Sequence, residues 1–255
     1  MNKVLLVSLL SISAHCSAQS VDSLGNPFFS GQINHKTVDD FISQFDGRND
    51  LKEIIVASQG GEVGASIKLG QWVRKKGLDV KVRTICYSGC ANYVFVAGNK
   101  KTLEPGSFIA WHGDMEQKDF RELIQKYEEL LHNKKISALN DGDKLFLRDN
   151  EKKYKSLKDL RQKQAEFYSL LGLNSEFGRI GQEPINYPSD GWTLTKKAMA
   201  HFGITNVEVP KNYPSVKYLS AEPLSSMING GPLLILDIDE SGKIFPVNLD
   251  QLKSQ

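Results

Sequence analysis

The chain has 255 residues, 32 Lys+Arg against 30 Asp+Glu, and is 40% hydrophobic, 24% charged and 9% aromatic. These are the proportions of an ordinary folded protein, so disorder is not the default, and one sizeable α/β domain or two small ones would fit. A net charge of +2 gives no electrostatic case for a nucleic-acid partner, which normally brings a basic face or an extreme pI.

Residues 1–18 read as a secretory leader. Met1-Asn2-Lys3 is a short basic start, 4–12 is an apolar run, and Ala14-His15-Cys16-Ser17-Ala18 offers small residues for a signal peptidase. The apolar run is about half the roughly 20 residues a membrane span needs. A lipidated Cys16 is disfavoured because His15 stands where a small residue is wanted. The expected product is 19–255, secreted or periplasmic, with no membrane span.

Strand and helix signals then alternate. A strand-like run covers 28–33, and Val38, Phe41, Ile42 and Phe45 share one helix face. A short buried strand over 53–57 breaks at Gly60-Gly61. A helix over about 63–76 ends at Gly77, since glycine accepts the left-handed backbone of a helix C-terminus. A strand over 80–85 precedes a buried helix over 92–97, and short strands at 101–103 and 108–111 flank Pro105-Gly106. Repeated β-then-α units imply a mainly parallel sheet covered by helices.

About half of the residues from 116 to 163 are charged, which marks a largely solvated segment. Phe120, Leu123, Ile124, Tyr127, Leu130 and Leu131 nevertheless keep helical spacing, and Asn140-Asp141-Gly142-Asp143 breaks the pattern. A second helix, with Leu157, Leu160, Phe167, Tyr168 and Leu171 on one side, ends near Gly172. The pair reads as a charged arm inserted at about 116–172. Beyond it a short helix over 195–202, capped by Thr193 or Thr195, feeds a strand over 204–209, and 233–239 with 243–247 gives a hairpin signal.

Without the leader, Cys86 and Cys90 are the remaining cysteines, spaced as Cys-Tyr-Ser-Gly-Cys. In an oxidising compartment they could close a disulfide if their Cα atoms lie about 4.4–6.8 Å apart. Two buried thiols are the other possibility. His35, His132 and His201 are isolated, and no spacing resembles a metal site.

Three features fall at the ends of successive strands, where open α/β sheets place their sites. These are Gly60-Gly61, Ser88-Gly89 and His112. A serine in a tight strand-to-helix turn can be an exposed nucleophile, and a histidine on a neighbouring strand end is its natural base. The N–H of Gly89 points at the same region, and the paired glycines at 60 and 61 let the backbone approach a substrate and could supply the second N–H of an oxyanion hole.

The string Ala57-Ser58-Gln59-Gly60-Gly61-Glu62-Val63 with Ala65 is followed by 85–90, Ala97-Gly98 and Ile109-Ala110-Trp111-His112. In that order, and with 24 positions from serine to histidine, these motifs resemble the Clp protease proteolytic subunit and its exported relatives in the ClpP/crotonase superfamily. The resemblance covers about 28–111 and returns more weakly at 190–207. It implies a ClpP-like α/β fold of stacked ββα units over 19–210, with the arm inserted and a C-terminal extension, 211–255, carrying the hairpin. It also implies a serine peptidase or hydrolase acting on a peptide or protein without a cofactor. Ser88 would be the nucleophile, His112 the base, and Gly61 and Gly89 the oxyanion hole. The acidic third member falls at Asp190 after a one-residue adjustment of register. Asp114 is a local rival, and a backbone carbonyl could serve instead.

Gln59 replaces the proline usual before the glycine pair, and the charged arm is not the pattern of a ring-forming protease. A tetradecamer and an ATPase partner are therefore not carried over, though a homo-oligomer remains open. The alternative function is a catalytically silent binding or scaffold protein of the cell envelope on the same fold.

Overall fold

The computed structural model describes residues 19–133, 136–182, 191–220 and 233–248. The leader at 1–18 and Asp190 lie outside the described residues. A seven-stranded, mainly parallel sheet organises the chain. Its strands are β1 (Gln19–Val21), β2 (Pro27–Ser30), β3 (Glu53–Ser58), β4 (Asp79–Tyr87), β5 (Lys101–Leu103), β6 (Phe108–Ala110) and β8 (Val207–Glu208). They run in the order β1-β2-β3-β4-β5-β8, with β6 also paired to β4. Only β1 is antiparallel to its neighbour, and nothing in its short sequence signalled a strand.

Ile54, Ile55 and Val56 are all buried, as expected of a parallel strand covered on both faces. The helices α1 (His35–Phe45) and α2 (Val63–Lys76) pack together through Phe41 and Trp72, whose rings sit edge to face at 5.7 Å. The α1 boundary is set by a capping box: the Asn34 side chain accepts from the Thr37 N–H, and Thr37 Oγ1 accepts from the Asn34 N–H. Gly77 closes α2 at φ 65°, as its sequence position predicts.

A feature of β4 places the site. Val56 pairs with Val82, whereas Ser58 pairs with Cys86, so β4 gains two residues on β3 between these points. Thr84, within the insertion, has φ 69°. Below this bulge β4 pairs with β5; above it, Ile85, Cys86 and Tyr87 pair with Phe108, Ile109 and Ala110 of β6. Bulges commonly redirect a strand beside a functional site.

Three expectations change in detail, and one open choice is resolved. The buried helix expected over 92–97 is a π turn, Cys90–Val94, followed by a 3-10 turn, Phe95–Ala97. The break expected at 140–143 is instead a helix start, because Asn140 Oδ1 accepts the Asp143 N–H and Gly142 falls inside the first turn. The strand expected over 204–209 shortens to β8, since Asn206 takes φ 54° and the chain reaches β5 only at Val207. Thr195, not Thr193, caps α5 (Lys196–His201); the Thr193 hydroxyl instead meets the Tyr213 hydroxyl at 2.6 Å.

The arm consists of α3 (Lys118–Asn133) and α4 (Asp141–Leu171). It carries small apolar clusters of its own, including Met115, Ile124 and Leu157, while Phe167 and Tyr168 at its base enter the main core. A second sheet is formed by β7 (Trp192–Leu194), β9 (Leu234–Ile238) and β10 (Ile244–Pro246), with β9 and β10 as the expected hairpin. Because β9 also pairs with β7, Leu234, Ile235 and Leu236 share one core with Val80 and Val82. Among the described residues, no helix is long and apolar enough to cross a membrane.

Candidate active site

The parallel register of β4 and β6 brings their ends together. Tyr87 pairs with Ala110, and the Ser88 N–H donates to the Ala110 carbonyl at 3.1 Å. Ser88 and His112, 24 positions apart in sequence, therefore emerge side by side, with Ser88 Oγ 2.7 Å from His112 Nε2. Ser88 has φ 56°, a left-handed conformation that costs an L-residue about 1–2 kcal/mol. Strain of this kind persists where surrounding structure enforces it. Here Cys86 and Cys90 form a disulfide across the turn, with Cα atoms 5.2 Å apart and both residues buried.

His112 is exposed as a residue, with protein packed against its ring on the Tyr87 side. The Tyr87 ring lies 5.0 Å from it at 33°. This burial holds the His112 pKa below its ordinary value of 6.5. The imidazole is therefore neutral at pH 7, with Nε2 able to accept the Ser88 hydroxyl proton.

The glycine pair sits against the same turn. The Ile33 N–H donates to the Gly60 carbonyl at 2.8 Å and the Glu62 N–H to the Ile33 carbonyl at 2.9 Å. In this parallel bridge the N–H of Gly61 itself faces away from Ile33, toward the Ser88 side. The packing leaves no room for side chains. A Cβ on Gly60 would lie 2.7 Å from the Gly89 nitrogen and 2.8 Å from Ser88 Cβ, and one on Gly61 would lie 2.0 Å from the Ile33 oxygen. Gly89 opens the turn that follows Ser88, where helical N–H groups have no partner within the helix. Among the described residues, no acceptor is paired with the N–H of Gly61 or Gly89.

Ser58 supports this arrangement, a role that sequence reasoning missed. Its hydroxyl accepts the Gly60 N–H at 3.0 Å and donates to the Gly31 carbonyl at 2.5 Å. The only sequence signal was its place in the string before the glycine pair.

Asp114 does not meet the histidine ring. Its carboxylate turns inward, accepting from the Glu116 N–H at 2.7 Å and Gln164 Nε2 at 2.9 Å. Asp190 lies outside the described residues. The next residue, Gly191, sits opposite His112, because Trp111 and Trp192 pair in an antiparallel bridge. Among the described residues, no carboxylate accepts from His112.

A cleft of about 710 Å³ opens over Ser88, His112, Gly60 and Gly61, with Gly31, Gln32, Ala57, Gln59, Ile85 and Tyr87 as its other walls. None of these ten residues carries a fixed charge. Among the described residues no group of three or more His, Cys, Asp or Glu side chains is placed to hold a metal ion.

No protein-family model matches the chain, and no curated protein matches it. Solved structures similar to it include a point mutant of ClpP1 from Listeria monocytogenes, at 15% identity and TM-score 0.45, covering 73% of this chain and 91% of that one. ClpP1 from Listeria monocytogenes without that substitution is similar at 19% identity and TM-score 0.31, covering 42% of this chain and 69% of that one. At these levels the chemistry of the site rests on its own geometry.

Proposed function

We propose that the chain is an exported serine hydrolase acting on peptide or protein substrates. The observation that carries this reading is the 2.7 Å approach of Ser88 Oγ to His112 Nε2, within the reach general-base catalysis requires. It also favours the hydrolase over the silent binding protein, which has no need of that juxtaposition. Ser88 Oγ attacks the substrate carbonyl carbon as His112 Nε2 takes the hydroxyl proton, and the carbonyl π pair moves onto oxygen. The N–H groups of Gly61 and Gly89 hold that oxyanion. On collapse the C–N bond breaks, His112 returns the proton to the departing amine, and the acyl group remains on Ser88. Water, deprotonated by the same imidazole, then releases the acid. Asp190 is the proposed third member, orienting His112 through Nδ1, a role that tunes activity without being its source.

Export is supported by the leader pattern and by the Cys86–Cys90 disulfide, since such bonds persist in oxidising compartments. The experiment is hydrolysis of a fluorogenic peptide panel and an unfolded protein by the 19–255 chain. Cleavage lost in Ser88→Ala supports the reading; cleavage retained in that variant would overturn it.

A further inference from the structure

One side chain of the arm departs from the solvated character of its sequence. Gln164, in the final third of α4, is 2% exposed. Its Nε2 donates to Asp114 Oδ2 at 2.9 Å. Its Oε1 accepts from the Met115 N–H at 3.1 Å and from the Tyr93 hydroxyl at 2.6 Å. The contacts to Asp114 and Met115 fall on the turn 113–115 that directly follows His112, and the one to Tyr93 joins it to the π turn. Asn92 Nδ2 holds the same turn from the π turn, donating to the Gly113 carbonyl at 2.8 Å.

We propose that Gln164 is a positioning residue for His112, its carboxamide fixing the 113–115 turn so that the imidazole stays within reach of Ser88. The proposal rests on the Ser88–His112 reading above. The orientation of the amide follows from its partners. Oε1 meets two donors and Nε2 meets a carboxylate, whereas a flipped amide would set Nε2 against the Met115 N–H, donor to donor. A buried network of this kind is costly to break in part, because a group such as the Met115 N–H is left buried without its acceptor. A displacement of about 1 Å in a reacting group costs on the order of 100-fold in rate. The arm is thus tied to the site through Gln164 rather than only packed beside it.

The surroundings of Asp114 provide a discriminating test. Glu116 faces it from its own loop, Tyr93 from the π turn, Gln164 and Tyr168 from α4, and Arg179 from the turn beyond Ser175–Gly178. Burial pushes Asp114 up to about 7, with the Glu116 carboxylate adding to the rise, while hydrogen bonds from the Glu116 N–H and Gln164 and the charge of Arg179 oppose it. Glutamate at 164 keeps the shape of glutamine. Two facing carboxylates share one proton and hold together until rising pH removes it, after which both anions repel.

The test compares the full chain with Gln164→Met, Gln164→Glu and the exposed arm variant Lys152→Ala. Readouts are thermal melting, kcat and KM on a fluorogenic peptide, and the rate of Ser88 labelling by a fluorophosphonate probe from about pH 5 to 9. Gln164→Met should label roughly tenfold to 100-fold more slowly and lose kcat with KM unchanged. Lys152→Ala should match the parent. Gln164→Glu should approach the parent rate at low pH and lose it along a new alkaline limb. A folded Gln164→Met at the parent rate overturns the proposal. So does a Gln164→Glu profile that superimposes on the parent, which decides the matter if the methionine variant does not fold. Absence of Ser88-dependent labelling in the parent chain instead sinks the underlying reading, and the proposal with it.

Discussion

Replacing Gly61 by alanine adds a carbon 2.0 Å from the Ile33 carbonyl oxygen, at a residue whose φ is 151°. The clash is with backbone and can be relieved only by moving Gly61 off Ile33. That breaks the Ile33 N–H to Gly60 and Glu62 N–H to Ile33 hydrogen bonds, worth about 1 kcal/mol each, and backbone strain adds about 1–3 kcal/mol. The expected destabilisation of about 3–5 kcal/mol is survivable for a domain stable by about 5–15 kcal/mol. The same movement takes the Gly61 N–H away from the oxyanion, and losing one such donor costs about 10²–10³-fold in kcat. The assay is kcat on a fluorogenic peptide below the variant's melting midpoint, with circular dichroism to establish folding. Gly106→Ala is the control: its φ is 78° but an added Cβ meets nothing within 4 Å. It should lose about 1–2 kcal/mol of stability and no rate. A folded Gly61→Ala within about threefold of the parent kcat would refute Gly61 as an oxyanion donor.

Because burial holds His112 below 6.5, its base form survives to lower pH than an ordinary histidine. Activity should fall on acidification with a midpoint below that value, and a midpoint above it in the pH–rate profile would contradict the assignment. Converting Cys86 and Cys90 together to alanine should lower stability by about 2 kcal/mol, from the entropy of a short closed loop, and slow Ser88 labelling. Unchanged labelling in chemically reduced or substituted protein would remove the disulfide as a support of the Ser88 turn. The charge-free cleft should favour neutral residues on the acyl side of the scissile bond over Asp or Lys by about tenfold or more, since an unpaired desolvated charge is costly. Equal kcat/KM across such a matched peptide set would count against the cleft as the acyl-side site.

The parts of the fold legible in the sequence were those fixed by local chemistry. Gly77 ended its helix because of its backbone freedom, and the apolar spacing of Val38, Phe41 and Phe45 became the buried face of α1. Ser88 and His112 were legible as strand ends, but their meeting depended on the β4 bulge at Arg83-Thr84, which turns the end of β4 toward β6. Nothing local at those residues encodes that register. Asp114 was plausible by proximity in sequence, yet a side chain two residues along a turn points where its partners lie, and these are Glu116 and Gln164. Gln164 itself was hidden because a single buried amide leaves the charge pattern of a solvated arm unchanged. Its partners stand 49–71 positions away in the chain.

The proposed chemistry stands or falls on Ser88 being a nucleophile activated by His112. The deciding experiment is mass spectrometry of the 19–255 chain after incubation with a fluorophosphonate, beside Ser88→Ala, His112→Ala and a known serine hydrolase. One phosphonyl adduct is expected, located on Ser88, absent from Ser88→Ala and formed about 10²–10⁴-fold more slowly in His112→Ala. An unmodified parent chain under conditions that label the known hydrolase, or an adduct on another residue that persists in Ser88→Ala, would show that Ser88 is not that nucleophile.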